Sequence, residues 1–185
     1  MSIQLLLSLF LGIGLASASG FRVFLPVFAL SLASYFNVIS LNDNWLWIGG
    51  LPALISFGAA MIFEIFTYYI PFIDNLLDTI ATPLAAIAGF VVMASTLVDI
   101  SPALITILAV IAGGGTASAM QGMTTMTRLA SSVKTAGIGN PVVSTAETGT
   151  AITLSSLAIF FPILAIVLVV IIFGFVYWIF KKIKK

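Results

Sequence analysis

The sequence predicts an all-α polytopic membrane protein, and three properties of the chain support this fold class. The mean hydropathy is +1.25, and 61% of the 185 residues are hydrophobic. Only 7% are charged, whereas a soluble domain carries about 25% charged residues. The apolar residues fall in long runs, and a helix needs about 20 such residues to cross a bilayer. We therefore expect one integral membrane domain over residues 1–185, with the lipid bilayer as a partner.

Five apolar segments predict about five transmembrane helices. They comprise residues 3–36, 45–70, 83–98, 103–129 and 146–180. Because the first and the last exceed the length of one span, each is either a kinked span or a hairpin. Residues 71–83 lie between the second and third segments and begin with a proline, which predicts a short interfacial helix.

The first segment contains Arg22, and this cation constrains how the segment folds. An arginine near the centre of a bilayer costs about 2.5–3.5 kcal/mol on insertion scales, so it is expected to face a partner or a cavity. Gly20 and Pro26 weaken the helix around it. Backbone groups freed at such a break must be buried in protein or line a cavity. We predict an interrupted first span in which Arg22 pairs with an embedded carboxylate, Glu64 being the favoured partner.

Three more ionisable residues lie within apolar segments, namely Glu64, Arg128 and Glu147. Together with Arg22 they form two cations and two anions that can neutralise each other inside a bundle. One interpretation is a charged pathway for an ion or small molecule. The other is a set of structural pairs that fix how the helices pack. The residue types alone leave both interpretations open.

The fourth segment contains three consecutive glycines, and its remainder is rich in threonine and methionine. Gly114 and Gly115 are candidates for unwound backbone that lines a site, which would interrupt this span as well. The alternative is close packing of helices through small residues. The semi-polar remainder of the segment favours a position inside the bundle.

Two polar stretches supply the other candidate site residues. Asp74, Asn75 and Asp78 are close enough in a helix to offer oxygen ligands to a cation, or they form a solvated helix face. Ser144 and Glu147 have the spacing of a capping box at a helix start that follows Asn140. The same stretch is also a candidate lining for a helix break.

The composition excludes several classes of function. The chain has no cysteine and no histidine, which excludes disulfides, Cys/His zinc sites and acid–base catalysis by histidine. We expect no cofactor, no bound metal and no nucleic-acid partner, and we do not expect an enzyme. A lipid-modifying enzyme that uses Asp74 and Asp78 with a divalent metal is a third hypothesis.

A weak internal similarity suggests a repeat. Residues 15–18 resemble residues 116–119, and an arginine follows each. If the first two segments repeat as the fourth and fifth, the halves have inverted topology, because three spans reverse the direction of the chain. Inverted repeats with interrupted helices are typical of secondary transporters.

The charges near the C-terminus predict the orientation. Four of the seven basic residues lie in the last five positions, and positive residues favour the cytoplasmic side. We therefore place the C-terminus in the cytoplasm of a bacterial inner membrane. With five spans, Asp74 and Asp78 would then lie near the opposite interface.

The chain resembles the bacterial membrane protein family catalogued as domain of unknown function 4126. The similarity covers nearly the whole chain and is carried by residues 17–26, 64–78, 83–89, 113–118 and 140–148. It highlights Gly20, Glu64, Pro71, Asp74, Asp78, Pro83, Gly114, Gly115, Arg128, Asn140, Pro141, Ser144 and Glu147. This chain departs from the family pattern at Tyr68-Tyr69, at Gln121 and at Thr124-Thr125. The resemblance implies no particular activity.

These features together predict a small membrane transporter or channel-like protein. Arg22, Glu64, Arg128 and Glu147 would line the pathway for an unknown ion or small molecule. A homo-oligomer is expected, because a chain of this size has few helices with which to enclose a pathway. The alternative is a non-catalytic scaffold or assembly protein whose buried ions are structural.

Overall fold

The computed structural model describes residues 3–70 and 73–183, and every regular element in those residues is helical. Pro71 lies outside the described residues, as do Lys184 and Lys185. The helices are α1 Ile3–Ser19, α2 Phe24–Tyr35, a 3₁₀-helix Asp43–Gly49, α3 Leu51–Thr67, α4 Ile73–Thr96, α5 Pro102–Leu108, a π-helical stretch Ala109–Gly114, α6 Gly115–Thr135, α7 Asn140–Phe160 and α8 Pro162–Ile183.

Helices α1 and α2 form a hairpin rather than one kinked helix. At one end of the bundle, Gly12 of α1 packs against Met93, near the end of α4. At the other end, Arg22 binds Ser144, near the start of α7. The chain reverses between Ser19 and Phe24, and the interruption predicted at this point is confirmed.

Contacts of α2 establish that it returns to the end from which α1 came. Phe28 packs against Gly58 of α3, and Ser34 packs against Gly49 just before α3. Helix α2 is therefore antiparallel to α3. The hairpin enters and leaves the bundle at the same end, and its tip at residues 20–23 lies near the other end.

The last long segment is also a hairpin. Phe161 has φ −141° and ψ 66°, so α7 ends there and Pro162 begins α8. Ala158 and Ala165, one on each side of this turn, both approach Gly14 of α1. Helix α8 then runs back along α7, since Val176 and Val143 line the same cavity.

Three exposed or partly exposed lysines define one end of the bundle, which we call the basic end. Lys134 lies in the last turn of α6, and Lys181 and Lys182 lie in the last turn of α8. Asp78, near the start of α4, belongs to this end because it binds Arg128, two turns before Lys134. The prediction that Asp74 and Asp78 lie opposite the C-terminus is therefore wrong. It counted the last segment as one span, whereas the structure has two helices there.

The predicted inversion is also wrong, because the first segment was counted as one span and contains two helices. Helix α1 runs toward the basic end, as its contacts with α4 and α7 show. Helix α6 runs in the same direction, from Gly113 beside Gly89 to Arg128 beside Asp78. Because the two similar stretches run parallel, an inverted repeat cannot relate them.

The fourth segment is helical throughout, without unwound backbone at its glycines. Residues Ala109–Gly114 widen into a π-helix, and α6 follows without a break. Gly113 and Gly89 pack backbone against backbone, because a Cβ on Gly89 would lie 2.5 Å from the carbonyl oxygen of Gly113. Close packing of helices through small residues, the alternative considered from the sequence, therefore describes this region better than unwound backbone that lines a site.

By length and hydropathy, two of the described helices are suited to cross a bilayer, Leu76–Thr96 and Pro102–Thr135. A third candidate is the pair Asp43–Gly49 and Leu51–Thr67, which is bent by 63°. Shorter apolar helices accompany them, and many large apolar side chains are exposed on the bundle surface. This architecture is compatible with a membrane protein.

Candidate functional site

Five ionisable side chains converge inside the bundle, each from a different element. They form the ionic cluster, and none is more than 8% exposed: Arg22, Glu64, Asp78, Arg128 and Glu147. Glu147 lies seven residues after the start of α7, and Arg128 lies seven before the end of α6. At a rise of 1.5 Å per residue, the cluster lies roughly 10 Å inside the basic end.

Arg128 connects two carboxylates. Its Nε donates to Glu147 Oε1 at 3.2 Å, and its Nη2 donates to Glu147 Oε2. Its Nη1 donates to Asp78 Oδ1 at 2.7 Å. Two parallel hydrogen bonds of a guanidinium to one carboxylate are among the strongest polar contacts in proteins. Arg128 therefore holds α4, α6 and α7 together at this depth.

Arg22 is fully buried, as predicted, but Glu64 is not the carboxylate with which it pairs. Its ion pair is with Glu147 Oε2, at 3.5 Å from Nη1. Nε donates to Thr148 Oγ1 at 2.9 Å, and Nη2 donates to the carbonyl and hydroxyl oxygens of Ser144 at 2.8 and 2.5 Å. Nη1 itself makes no hydrogen bond within the described part of the chain. The guanidinium anchors the hairpin tip to α7.

Glu64 has a different partner, the backbone of the hairpin tip. Its Oε1 accepts from the N–H of Val23 at 2.7 Å, and its Oε2 accepts from the N–H of Phe24 at 3.0 Å. The first N–H groups of a helix have no partner within that helix, and α2 begins at Phe24. A carboxylate at this position satisfies them and is favoured by the helix dipole. Glu64 thus caps α2 from another helix.

Tyr68 brings the two guanidinium groups together across its ring. The ring centroid lies 4.3 Å from Cζ of Arg22 and 3.9 Å from Cζ of Arg128. Its hydroxyl donates to Asp78 Oδ1 at 3.4 Å. Cations are attracted to the face of an aromatic ring, so Tyr68 offsets part of the repulsion between the two arginines.

The ionic cluster has unequal charge when all five groups are ionised. Three carboxylates face two guanidinium groups, which leaves a formal charge of −1. A buried charge without a partner is costly. Each of the three carboxylates has polar partners here, because Asp78 and Glu147 bind Arg128 and Glu64 accepts from backbone N–H groups.

Two cavities flank the hairpin tip. The first, about 180 Å³, is bordered by Val23, Phe24 and Glu64 and is otherwise lined largely by apolar side chains of α3 and α4. The second, about 200 Å³, is bordered by Phe21 and Glu147. The tip thus separates two spaces, each of which has one carboxylate of the cluster at its wall.

The other predicted site residues lie outside the cluster or at its edge. Gly20 belongs to the hairpin tip and packs directly on Met120 of α6. Gly114 and Gly115 border neither of the two cavities, and Gly114 is about 21 Å along the helix from Arg128. Asp74 and Asn75 lie in the first turn of α4, and their side chains are outside the described part.

Asn140 and Ser144 take roles that differ from those predicted. Helix α7 already begins at Asn140, so the capping box of Ser144 and Glu147 is wrong; both residues lie inside the helix. Asn140 donates to Ser132 Oγ at 2.9 Å and ties α7 to α6. Ser144 binds Arg22.

Tyr68 and Thr148 were not predicted as site residues. The signal for Thr148 was present in the spacing, because Ser144 and Thr148 are four apart and share a helix face with Asn140. Tyr68 carried no comparable signal, since an aromatic residue at the end of an apolar helix is common.

The comparison with protein-family models adds the family. The model described as a domain of unknown function (DUF4126) matches residues 9–182. The chain belongs to this family. The match includes every residue of the ionic cluster and both flanking cavities. No curated protein and no solved structure matches the chain, and the family description names no activity.

Proposed function

We propose that this protein is a small membrane transporter or channel-like protein whose pathway passes the ionic cluster. The observation that carries the proposal is the position of the hairpin tip, which lies between two cavities with Arg22 buried at its centre. Interrupted helices whose ends meet charged groups inside a bundle are a recurring feature of transporter sites.

The species that passes or couples is a cation or a proton. The cluster has one carboxylate more than its two guanidinium groups can neutralise. Embedded ionisable groups are typical elements of ion and proton pathways. Glu147 is the proposed carrier, because it is the carboxylate that both guanidinium groups face and it borders the cavity beside Phe21.

We further propose a bacterial inner-membrane protein with five spans and one re-entrant hairpin. The spans are α3, α4, the long helix from Pro102 to Thr135, α7 and α8, while α1 and α2 form the hairpin. Lys134, Lys181 and Lys182 mark the basic end, and positive residues favour the cytoplasm. Asp43 and Asp99 lie toward the other end, where the described residues include no lysine or arginine.

Ion flux into vesicles tests the proposed function. Purified protein in vesicles that contain a pH-sensitive dye should dissipate a proton or monovalent cation gradient at least about tenfold faster than protein-free vesicles. We expect Glu147→Gln to abolish this flux, because it removes the proposed carrier. Asp99→Asn is the matched control, since Asp99 lies in a turn at the opposite end. Rates equal to protein-free vesicles for protons, Na⁺ and K⁺ would reject transport of these ions.

A scaffold or assembly protein is the second candidate, and one observation favours it. Nearly every hydrogen-bonding atom of Arg22, Glu64 and Arg128 is already satisfied by protein. A cluster with a purely structural role requires its buried hydrogen-bonding atoms to have partners in this way. In that case Glu147→Gln would lower thermal stability, and the wild-type protein would give no flux.

We also propose a homo-oligomer. The two cavities beside the hairpin tip both open on the surface of a single chain, and a second copy would cover such openings. Mass measurement of the purified protein in lipid nanodiscs should give a multiple of 19.5 kDa. A monomer that still supports flux would reject this part of the proposal.

A further inference from the structure

The cavity beside Phe21 is a groove that runs along three helices toward the basic end. Residues of α6, α7 and α8 line it, from Met120 to Thr127 on α6 and from Val143 to Thr150 on α7. Each of these two stretches is about 10 Å long at a rise of 1.5 Å per residue. Membrane helices are tilted on average by only about 20° from the bilayer normal. The long direction of the groove is therefore also the direction of the acyl chains in a bilayer.

The wall of this groove suits an apolar occupant. Apolar side chains make up most of the lining, with Phe21, Met123, Ile172 and Val176 among them. The groove has a volume of about 200 Å³, and cavities with apolar walls take apolar ligands rather than ordered water. Part of a hydrocarbon chain is therefore the occupant that the wall favours.

The polar groups in the wall already have partners. Thr124, Thr127 and Thr150 each donate to a backbone carbonyl oxygen of their own helix, at 2.8–2.9 Å. Glu147 binds Arg128 through both of its oxygens. An apolar ligand leaves none of these groups without a hydrogen bond, so it avoids the cost of an unsatisfied buried group.

A basic residue lies beyond the mouth of the groove at the basic end. Lys134 is exposed and follows Thr127 by seven residues on α6, and residues seven apart lie on the same face of a helix. The separation along the axis is about 10 Å, and the flexible lysine side chain covers part of it. Lysines near a bilayer surface attract anionic lipid headgroups. The groove therefore combines an apolar wall with a positive charge at its mouth.

We propose that this groove binds one anionic phospholipid, with an acyl chain between α6 and α8 and the phosphate group against Lys134. The apolar wall takes the chain, and the lysine selects the charge of the headgroup. A lipid in this place also covers Phe21 at the hairpin tip. The proposal requires the membrane location proposed above, but it does not require transport.

Thermal unfolding with two lipids tests the site. Purified protein in nonionic detergent is heated with phosphatidylglycerol or with phosphatidylcholine that carries the same acyl chains. A ligand that binds only the folded state raises Tm, by about 2–4 °C when it is present at about five times its Kd. We expect this rise for phosphatidylglycerol relative to phosphatidylcholine. Equal Tm values with the two lipids would overturn the proposal.

Lysine variants locate the headgroup. Lys134→Gln removes the charge on the groove face of α6, so it should lose most of the Tm difference between the two lipids. Lys182→Gln is the matched control, because Lys182 lies at the same end but its Nζ lies over the ring of Trp178, 5.3 Å from the centroid. This control should keep the difference. Equal losses in the two variants would assign the effect to general attraction at the basic end and overturn the site.

Alanine variants locate the acyl chain. Ala146 borders the groove, so Ala146→Leu fills part of it and should reduce the rise with phosphatidylglycerol. Ala59→Leu is the matched control, since Ala59 is exposed on α3 and borders neither of the two cavities beside the hairpin tip. A rise that is as large in Ala146→Leu as in Ala59→Leu would reject the groove as the place of the chain.

The lipid site and the transport function fail in different ways. A rise in Tm that is specific to phosphatidylglycerol, without flux in vesicles, would retain the lipid site and reject transport. Flux in vesicles, with no Tm difference between the two lipids, would retain transport and reject the lipid site.

Discussion

At the scale of single residues, Glu64 illustrates how a buried carboxylate can be structural. Its two oxygens accept from the backbone N–H groups of Val23 and Phe24 at the start of α2, where the helix itself supplies no acceptor. Glu64→Gln keeps the size of the side chain but leaves one oxygen acceptor for two N–H groups. We expect a loss of about 1–3 kcal/mol in the free energy of unfolding, the usual cost of an unsatisfied buried group.

The control for this variant lies in the same helix. Ser56 is exposed and its hydroxyl bonds the carbonyl oxygen of Pro52, so Ser56→Ala should change stability by less than about 0.5 kcal/mol. Denaturation in detergent measures both variants. Equal stability of Glu64→Gln and the wild type would contradict the capping role.

The ion pairs also predict which residues are energetically coupled. Arg128 and Glu147 share two hydrogen bonds, and coupling between contacting residues is about 0.5–3 kcal/mol. A double-mutant cycle of Arg128→Gln and Glu147→Gln should fall in that range. A cycle of Arg22→Gln and Glu64→Gln should give a smaller value, because these two side chains form no ion pair. The reverse order would contradict the observed pairing.

At the scale of elements, the hairpin tip depends on a close approach to α6. A Cβ on Gly20 would lie 2.6 Å from the carbonyl oxygen of Ala117, so backbone would have to move. Gly20→Ala should therefore destabilise the protein, by about 1–3 kcal/mol.

A second glycine makes the matched control for the hairpin variant. Gly122, in α6, has nothing within 4 Å of an added Cβ, and alanine is favoured over glycine in a helix by about 0.5–1 kcal/mol. Gly122→Ala should be neutral or stabilising, so the two variants should shift Tm in opposite directions. A rise in Tm for Gly20→Ala would mean that the tip does not pack on α6 in this way.

The helices also show which features of the structure could be predicted from the sequence. The helical class, the break near Gly20 and the burial of Arg22 follow from local composition and the cost of burying charge. The partner of Arg22 does not, because Glu64 and Glu147 are both embedded carboxylates and sequence distance does not encode which helices adjoin. The predicted capping box was wrong because α7 extends one turn further toward its N-terminus, as Pro141 is tolerated in a first turn.

At the scale of the whole molecule, the largest error came from chain direction. An apolar run of more than 30 residues does not reveal whether it crosses once or turns back. Two such runs, at the two ends of the chain, both turn back in the structure. Each turn changes the end of the bundle at which the following helix finishes. The turn in the last run places Asp78 and the end of α8 at the same end of the bundle. The turn in the first run makes α1 and α6 parallel.

The topology of the whole molecule gives the last prediction, and the absence of native cysteine makes it testable by single-cysteine labelling. Ile3 and Asn37, before and after the hairpin, are exposed at the same end, whereas Ile138 is exposed at the basic end. With the basic end in the cytoplasm, Ile3→Cys and Asn37→Cys should react with an impermeant reagent added outside. Ile138→Cys should react only after the membrane is permeabilised.

Each alternative gives a different labelling pattern. Labelling of Ile3→Cys and Asn37→Cys from opposite sides would show that α1 and α2 form a span, and the hairpin would be rejected. Labelling of Ile138→Cys alone from outside would retain the hairpin but reverse the orientation. Lys182→Cys is the control for the last hairpin, because α8 returns to the basic end and the residue should follow Ile138→Cys in every case.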